Sequence, residues 1–143
     1  MSYSYEYPRP AVTVDILLLY KENNKYEILL IKRKNEPYKN RWAMPGGFVD
    51  ENEDLLVAAK RELIEETGIL TENIIQLVTV GTPGRDPRGH TISVVYGAVI
   101  DEKIDPNAGD DADDASWFDI DNLPELAFDH LEILETQIQK LIK

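Results

Sequence analysis

The stretch from Asp54 to Thr67 constrains this chain most: it has neither glycine nor proline and is built from Leu, Ala, Lys, Arg, Glu and a few β-branched residues. Those dominant types favour helix, and Gly68 supplies a stop signal directly after it. Asp50 and Glu53 have the spacing of a capping pair at its start. Leu56, Ala59 and Leu63 recur at i, i+3 and i+7, which predicts a face that packs on a sheet. Ala58 and Ala59 are small enough to permit close approach. Glu62, Glu65 and Glu66, at i, i+3 and i+4, project together from a second face. Their charges repel, and Lys60 and Arg61 offset only part of that. Taken alone, three glutamates on a helix more often form a solvated face. Yet hard oxygen ligands on a rigid element also suit Mg²⁺ or Mn²⁺, whose charge would relieve the repulsion. Gly46 and Gly47 precede the helix, where backbone without side chains can approach a metal or phosphate closely.

Around this helix the chain reads as strands. Ala11 to Tyr20 is apolar and β-branched, Glu22 to Lys25 is a turn around Asn23-Asn24, and Tyr26 to Arg33 is a second strand, so a hairpin is expected. Asn35 to Gly47, with Pro37, Pro45 and the glycine pair, reads as loop. Ile74 to Val80 and Thr91 to Ile100 predict two more strands, joined by a segment rich in Gly, Pro and Arg. An acidic loop follows from Asp105 to Asp114, then a short strand over Ser116 to Ile120. The chain closes with a helix from about Asp129, where Asp129 and Glu132 again have capping spacing. Leu131, Leu134, Ile138 and Leu141 give that helix one apolar face. Strands, helix, strands, helix is the order of a mixed sheet covered by helices, not of a regular βαβ series.

Composition narrows the functional classes. The length fits one domain over residues 1–143, long enough to bury a core without staples. There is no cysteine, which excludes disulfides, thiol nucleophiles and thiolate metal sites, and suits a cytoplasmic location. No run approaches the length of a membrane span, and Met1 to Pro10 has no apolar signal core. The formal net charge of −12 disfavours nucleic acid as a partner. A small phosphorylated substrate remains compatible if metal ions stand between it and the carboxylates.

The full spacing from Gly47 to Ile69, GFVDENEDLLVAAKRELIEETGI, resembles the Nudix box: Gly47, Glu53, Arg61-Glu62-Leu63, Glu65-Glu66 and Gly68-Ile69 fall at the family's positions. The resemblance extends to Lys32-Arg33, to RWAMPGGFV from Arg41, to GTPGRDPRGHTISVVY from Gly81 and to LAFDHLEIL from Leu126. These look like bacterial and archaeal ADP-ribose pyrophosphatases. One departure is Asn52, where many relatives carry glycine; it changes a turn, not the chemistry.

The resemblance to this family implies an α/β/α sandwich around a mixed sheet. It implies that Glu62, Glu65 and Glu66, joined by the Gly46 carbonyl, hold Mg²⁺ or Mn²⁺ against the substrate pyrophosphate. By the same likeness Arg61 orients a glutamate, and Glu53 supports from outside. A further catalytic carboxylate is expected from the acidic loop before the last strand, where Asp110 and Asp111 lie at a suitable distance; Asp111 is the candidate. Arg85 and Arg88 hold a phosphate or ribose hydroxyls, or else pair with Asp86 or the acidic loop and fix the turn. Arg41 is a third candidate for substrate binding. His90 and His130 read as structural, and Trp42 as a buried aromatic. The expected reaction is hydrolysis of ADP-ribose to AMP and ribose 5-phosphate. Other substrates of the family are the alternative: a nucleotide sugar, a dinucleotide or an oxidised nucleoside triphosphate. A non-catalytic ADP-ribose sensor, of the kind fused to a DNA-binding domain, is disfavoured by the complete box, by the chain's end at Lys143 and by the lack of a basic segment. Relatives are often homodimers, and Met1 to Pro10 could form an arm toward a partner.

Overall fold

A computed structural model describes residues 2–107, 109 and 112–142, with backbone alone at 112 and 113. The long strand β1 (Ala11–Glu22) turns at Asn23-Asn24, both with positive φ, into β2 (Lys25–Arg33). Asparagine tolerates that left-handed conformation better than most residues. The hairpin pairing covers only Leu19 to Glu22 against Lys25 to Ile28. Beyond it the two strands splay. The far half of β2 pairs with β3 (Trp42–Ala43), and the near half of β1 pairs with β4 (Gly46–Phe48). Two short strands thus lie where the sequence reads as loop. They are too brief to carry a periodic signal, and the backbone groups exposed by the splay draw them in.

Helix α1 (Leu55–Thr67) follows, then β5 (Ile75–Val80), β6 (Thr91–Ile100), β7 (Ala112–Asp119) and α2 (His130–Leu141). Strand β6 runs parallel to β1 along its length, while β5 pairs antiparallel with β6 and β7 antiparallel with β2. The result is the expected mixed sheet, with seven strands among the described residues where the sequence predicts five. Strand β7 starts earlier than the expected Ser116 because its pairing with β2 continues to Arg33.

Alternation along β1 splits the core in two. Val14, Ile16 and Leu18 pack with Ala58, Ala59 and Leu63 of α1. Leu17 and Leu19 pack with Ile133 and Leu134 of α2 on the opposite face. Burying Leu63 alone contributes roughly 2 kcal/mol.

Several expectations for the helices need correction. Asp54, not Asp50, caps α1: its carboxylate accepts from the Leu56 and Val57 N–H groups. Glu53 does accept from the Asp50 N–H at 3.0 Å, but within the turn before the helix. Leu56 is 39% exposed, so the packing face is rotated onto Ala58, Ala59, Glu62, Leu63 and Glu66. On α2, Leu131 is 49% exposed, while His130 and Ile133 turn inward. Asp129 sits at the N-cap but makes no side-chain cap bond, because its carboxylate is engaged by Arg85. Gly68 ends α1 as expected, with φ 74° and its N–H donating to the Ile64 carbonyl. Asn52 adopts φ 61°, so the turn keeps the left-handed conformation that a glycine would supply.

Candidate active site

Where β1 and β2 splay, a cavity of about 410 Å³ opens at the end of the sheet. That volume lies within the ordinary range for small-molecule sites. Glu62 and Glu66 border it together with Gly46 and Gly47, and Arg33, Arg85, Asp86, Arg88, Phe48 and Phe128 border it too. Thr13, Asp15 and His130 also line it.

Arg61 organises the carboxylates. It grips Glu53 with two N–H groups, Nε at 2.7 Å and Nη2 at 2.9 Å. Its Nη1 donates to Glu62 at 2.7 Å and to Glu65 at 3.1 Å, and Nη2 reaches the Phe48 carbonyl. These bonds from Arg61, with one from the Asp50 N–H, hold the Glu53 carboxyl down at about 2 and push the Arg61 guanidinium up. Arg61 thus ties β4, the preceding turn and α1 together, which agrees with the orienting role expected of it. Glu66 accepts from the Gly46 N–H at 2.7 Å.

Glu62 and Glu66 are buried, at 9% and 6% exposure, whereas the Glu65 side chain is 55% exposed and does not line the cavity. Among the described residues, no three carboxylate or imidazole groups converge into a ready metal site. The chemistry of the set nevertheless fits a hard divalent cation. Four carboxylates, Asp50, Glu53, Glu62 and Glu65, lie within 3.5 Å of the one Arg61 guanidinium, so this group carries more negative than positive charge. Its donors are all oxygens. Gly47 keeps the approach open: a Cβ there would stand 2.6 Å from the Glu62 carboxylate. Gly47→Ala is therefore expected to displace Glu62 and lower turnover about 100-fold, the scale for roughly 1 Å of misplacement, with the circular dichroism spectrum retained.

Arg85 and Arg88 both reach the cavity, and each is paired. Arg85 forms a two-pronged bond to Asp129, with Nη2 at 2.7 Å and Nε at 2.8 Å, and its side chain is only 6% exposed. Arg88 bonds Asp86 through Nε and Nη2, and its guanidinium lies over the Phe48 and Phe128 rings at 4.7 and 5.4 Å. Burial raises the Asp86 carboxyl, but bonds from the Arg88 side chain and backbone outweigh it and hold the group below its usual range. Arg41 is not among the lining residues; it pairs with Glu125 at 3.3 Å and lies over the Tyr38 ring. Asp110 and Asp111 lie outside the described residues. His90 contacts the Gly81 carbonyl, and Trp42 packs edge-on against Phe118.

Asp15, on the cavity wall, carries no mark that sequence reasoning picks out. It is buried at 7% exposure and accepts from the Ser93 hydroxyl. Its only signal is an acid inside AVTVDILLLY, at an alternate position shared with Thr13 and, further along, with Leu17 and Leu19. On this side of the sheet the strand changes from polar to apolar as it leaves the cavity. His130, read as structural, is buried beside Asp15 and accepts the Met44 N–H at 3.0 Å through Nδ1.

Comparison with known proteins places this architecture. The chain is 48% identical over 130 residues to the ADP-ribose pyrophosphatase of Methanocaldococcus jannaschii, covering 90% of this chain and 73% of that one. It is 36% identical over 140 residues to the ADPR responsive transcriptional repressor NtrR of Acinetobacter baylyi, covering 95% of this chain but 56% of the repressor. The NUDIX domain of Shewanella oneidensis NrtR, solved with ADP ribose, superposes with a TM-score of 0.86 at 32% identity, over 94% of this chain and 89% of that one. The model of the NUDIX domain matches residues 9–137, nearly the whole chain, so this protein belongs to the Nudix family.

Proposed function

We propose that the protein hydrolyses ADP-ribose to AMP and ribose 5-phosphate with Mg²⁺ or Mn²⁺. The observation that carries this reading is the meeting, in one cavity, of Glu62 and Glu66 with Arg33, Arg85 and Arg88. A diphosphate needs cations around its oxygens and a set of carboxylates to hold a metal beside them. The similarity to an archaeal ADP-ribose pyrophosphatase supports the choice of substrate.

In this reading Glu62, Glu65 and Glu66, with the Gly46 carbonyl, hold the divalent ion, and Arg61 fixes two of those carboxylates. The ion supplies screening of the diphosphate charge and activation of water. Arg88, whose side chain is 39% exposed, offers its guanidinium to phosphate oxygens. The rings of Phe48 and Phe128 supply apolar surface for the nucleoside. Oxygen from water bonds to one phosphorus, the bridging oxygen leaves with the other phosphate, and a carboxylate takes the proton.

A second reading, ADP-ribose binding without turnover, draws support from the similarity to NtrR. The two are separated by incubating the protein with Mg²⁺ and a panel of ADP-ribose, NADH, ADP-glucose, a diadenosine polyphosphate and an oxidised dGTP. Preferred release of AMP from ADP-ribose, lost in the Glu65→Gln, Glu66→Gln double variant, is the expected result. Turnover of another member would keep the chemistry and discard the substrate. Tight ADP-ribose binding with no turnover would assign a sensor.

A further inference from the structure

Asp15 and His130 meet on the cavity wall with a gap between them. The Met44 N–H donates to Nδ1 of His130, so that nitrogen is the acceptor and a neutral ring carries its proton on Nε2. Burial favours the neutral ring, pulling its pKa down against the opposing pull of Asp15 and Asp129. Nε2 faces Asp15 Oδ1 at 3.8 Å, too far for a hydrogen bond. The other carboxylate oxygen, Oδ2, is taken by the Ser93 hydroxyl. One donor and one acceptor thus face each other across a space, in two residues that are 7% and 4% exposed and that both line the cavity.

A hydroxyl group has the chemistry to fill such a gap, because it accepts one bond and donates another. A carbonyl or phosphate oxygen cannot donate to Asp15, and an ammonium cannot accept from Nε2–H. Phosphate is further disfavoured by the carboxylate itself. We infer that Asp15 and His130 form a subsite for one sugar hydroxyl of the substrate, which accepts from His130 Nε2–H and donates to Asp15 Oδ1. The cavity's arginines, with a divalent ion that the box glutamates would hold, take the diphosphate, and this pair takes the sugar joined to it. Because a ligand lacking the hydroxyl would leave both groups buried and unpaired, the pair would select for that hydroxyl. The inference rests on the proposed reading that the substrate is ADP-ribose.

The test uses the α,β-methylene analogue of ADP-ribose, which is not hydrolysed, and versions lacking one sugar hydroxyl in turn. Affinities are measured with Mg²⁺ for the wild type and for Asp15→Asn. One deoxy version is expected to bind the wild type about 10- to 100-fold more weakly than the parent analogue. For Asp15→Asn the same deletion should cost no more than about 2-fold, since the Ser93 hydroxyl keeps the amide oxygen and the NH2 group turned to the gap cannot accept the sugar hydroxyl's hydrogen. The inference is overturned if no hydroxyl matters to the wild type, or if every deletion costs both proteins equally. Should Asp15→Asn fail to fold, a crystal structure of the wild type with the parent analogue decides. A sugar hydroxyl bridging Oδ1 and Nε2 supports the subsite, and an ordered water kept there in the complex refutes it. If ADP-ribose is not bound but another sugar nucleotide of the panel is turned over, only the substrate assignment falls, and the same series is made on that compound.

Discussion

Glu66→Gln is expected to lower turnover by about three orders of magnitude, on the scale of losing a group that acts in the transition state, while the fold is retained. The substitution is nearly isosteric. Its amide oxygen can still accept the Gly46 N–H that Glu66 Oε1 now accepts at 2.7 Å, so the β4 backbone has no reason to move. What disappears is one negative charge from a buried wall of the cavity, where Glu66 is 6% exposed. In the absence of metal that loss relieves repulsion among neighbouring glutamates, and the melting temperature should stay level or rise. With metal the order reverses. A ligand that binds only the folded state raises stability by mass action, so Mg²⁺ should raise the wild-type melting temperature and scarcely move the variant. Thermal melts with and without Mg²⁺, beside steady-state rates on ADP-ribose, check both halves. A drop in rate of less than about 10-fold would take Glu66 out of the metal-holding set.

The contrast between Glu66 and Glu65 also shows what spacing can and cannot say. Positions i, i+3 and i+4 place three carboxylates on one side of a helix, and that local geometry is readable from the chain. How α1 rolls against the sheet is a tertiary matter. The roll turns Glu62 and Glu66 inward and leaves Glu65 at the rim, tied to Arg61. The same roll exposes Leu56, which a helical period alone puts inside.

Long strands and the two helices are legible because each has a periodic pattern many residues long. Strands β3 and β4 are not, since two or three residues carry no period and their pairing depends on where β1 and β2 part. Asp15 escapes notice for a related reason: an acid in a strand has no spacing rule to mark it. Its meaning comes from Ser93, 78 residues away, and from His130. Within the box, by contrast, Arg61 finds Glu53, Glu62 and Glu65 within eight residues, and the motif contains its own contact map.

Asp129 is the sharpest instance of a long-range partner overriding a local signal, and its removal carries the largest expected loss of stability. Its spacing to Glu132 suggests a helix cap, yet its carboxylate is committed to Arg85, 44 residues earlier. Asp129→Ala would leave the Arg85 guanidinium, 6% exposed, without its two-pronged partner, keeping only the Thr91 carbonyl at 3.4 Å and the charge of Asp86, which is already committed to Arg88. Breaking a buried pair from one side costs about 3 to 5 kcal/mol, which for a chain of this size lowers the melting temperature by about 10 to 15 °C. Differential scanning calorimetry at neutral pH measures it, and a fall of only a degree or two would mean that solvent reaches Arg85 freely. Replacing both partners separates charge from packing. Arg85→Met with Asp129→Leu removes the unpaired charge as well as the pair, so most of the lost stability should return. Activity should not return with it, because Arg85 lines the cavity beside Glu62 and Glu66 and methionine offers phosphate nothing. A double variant that is both stable and fully active would reduce Arg85 to a brace between the β5–β6 loop and α2. One that is stable but slow would make the ion pair the means by which α2 aims a buried arginine into the cavity.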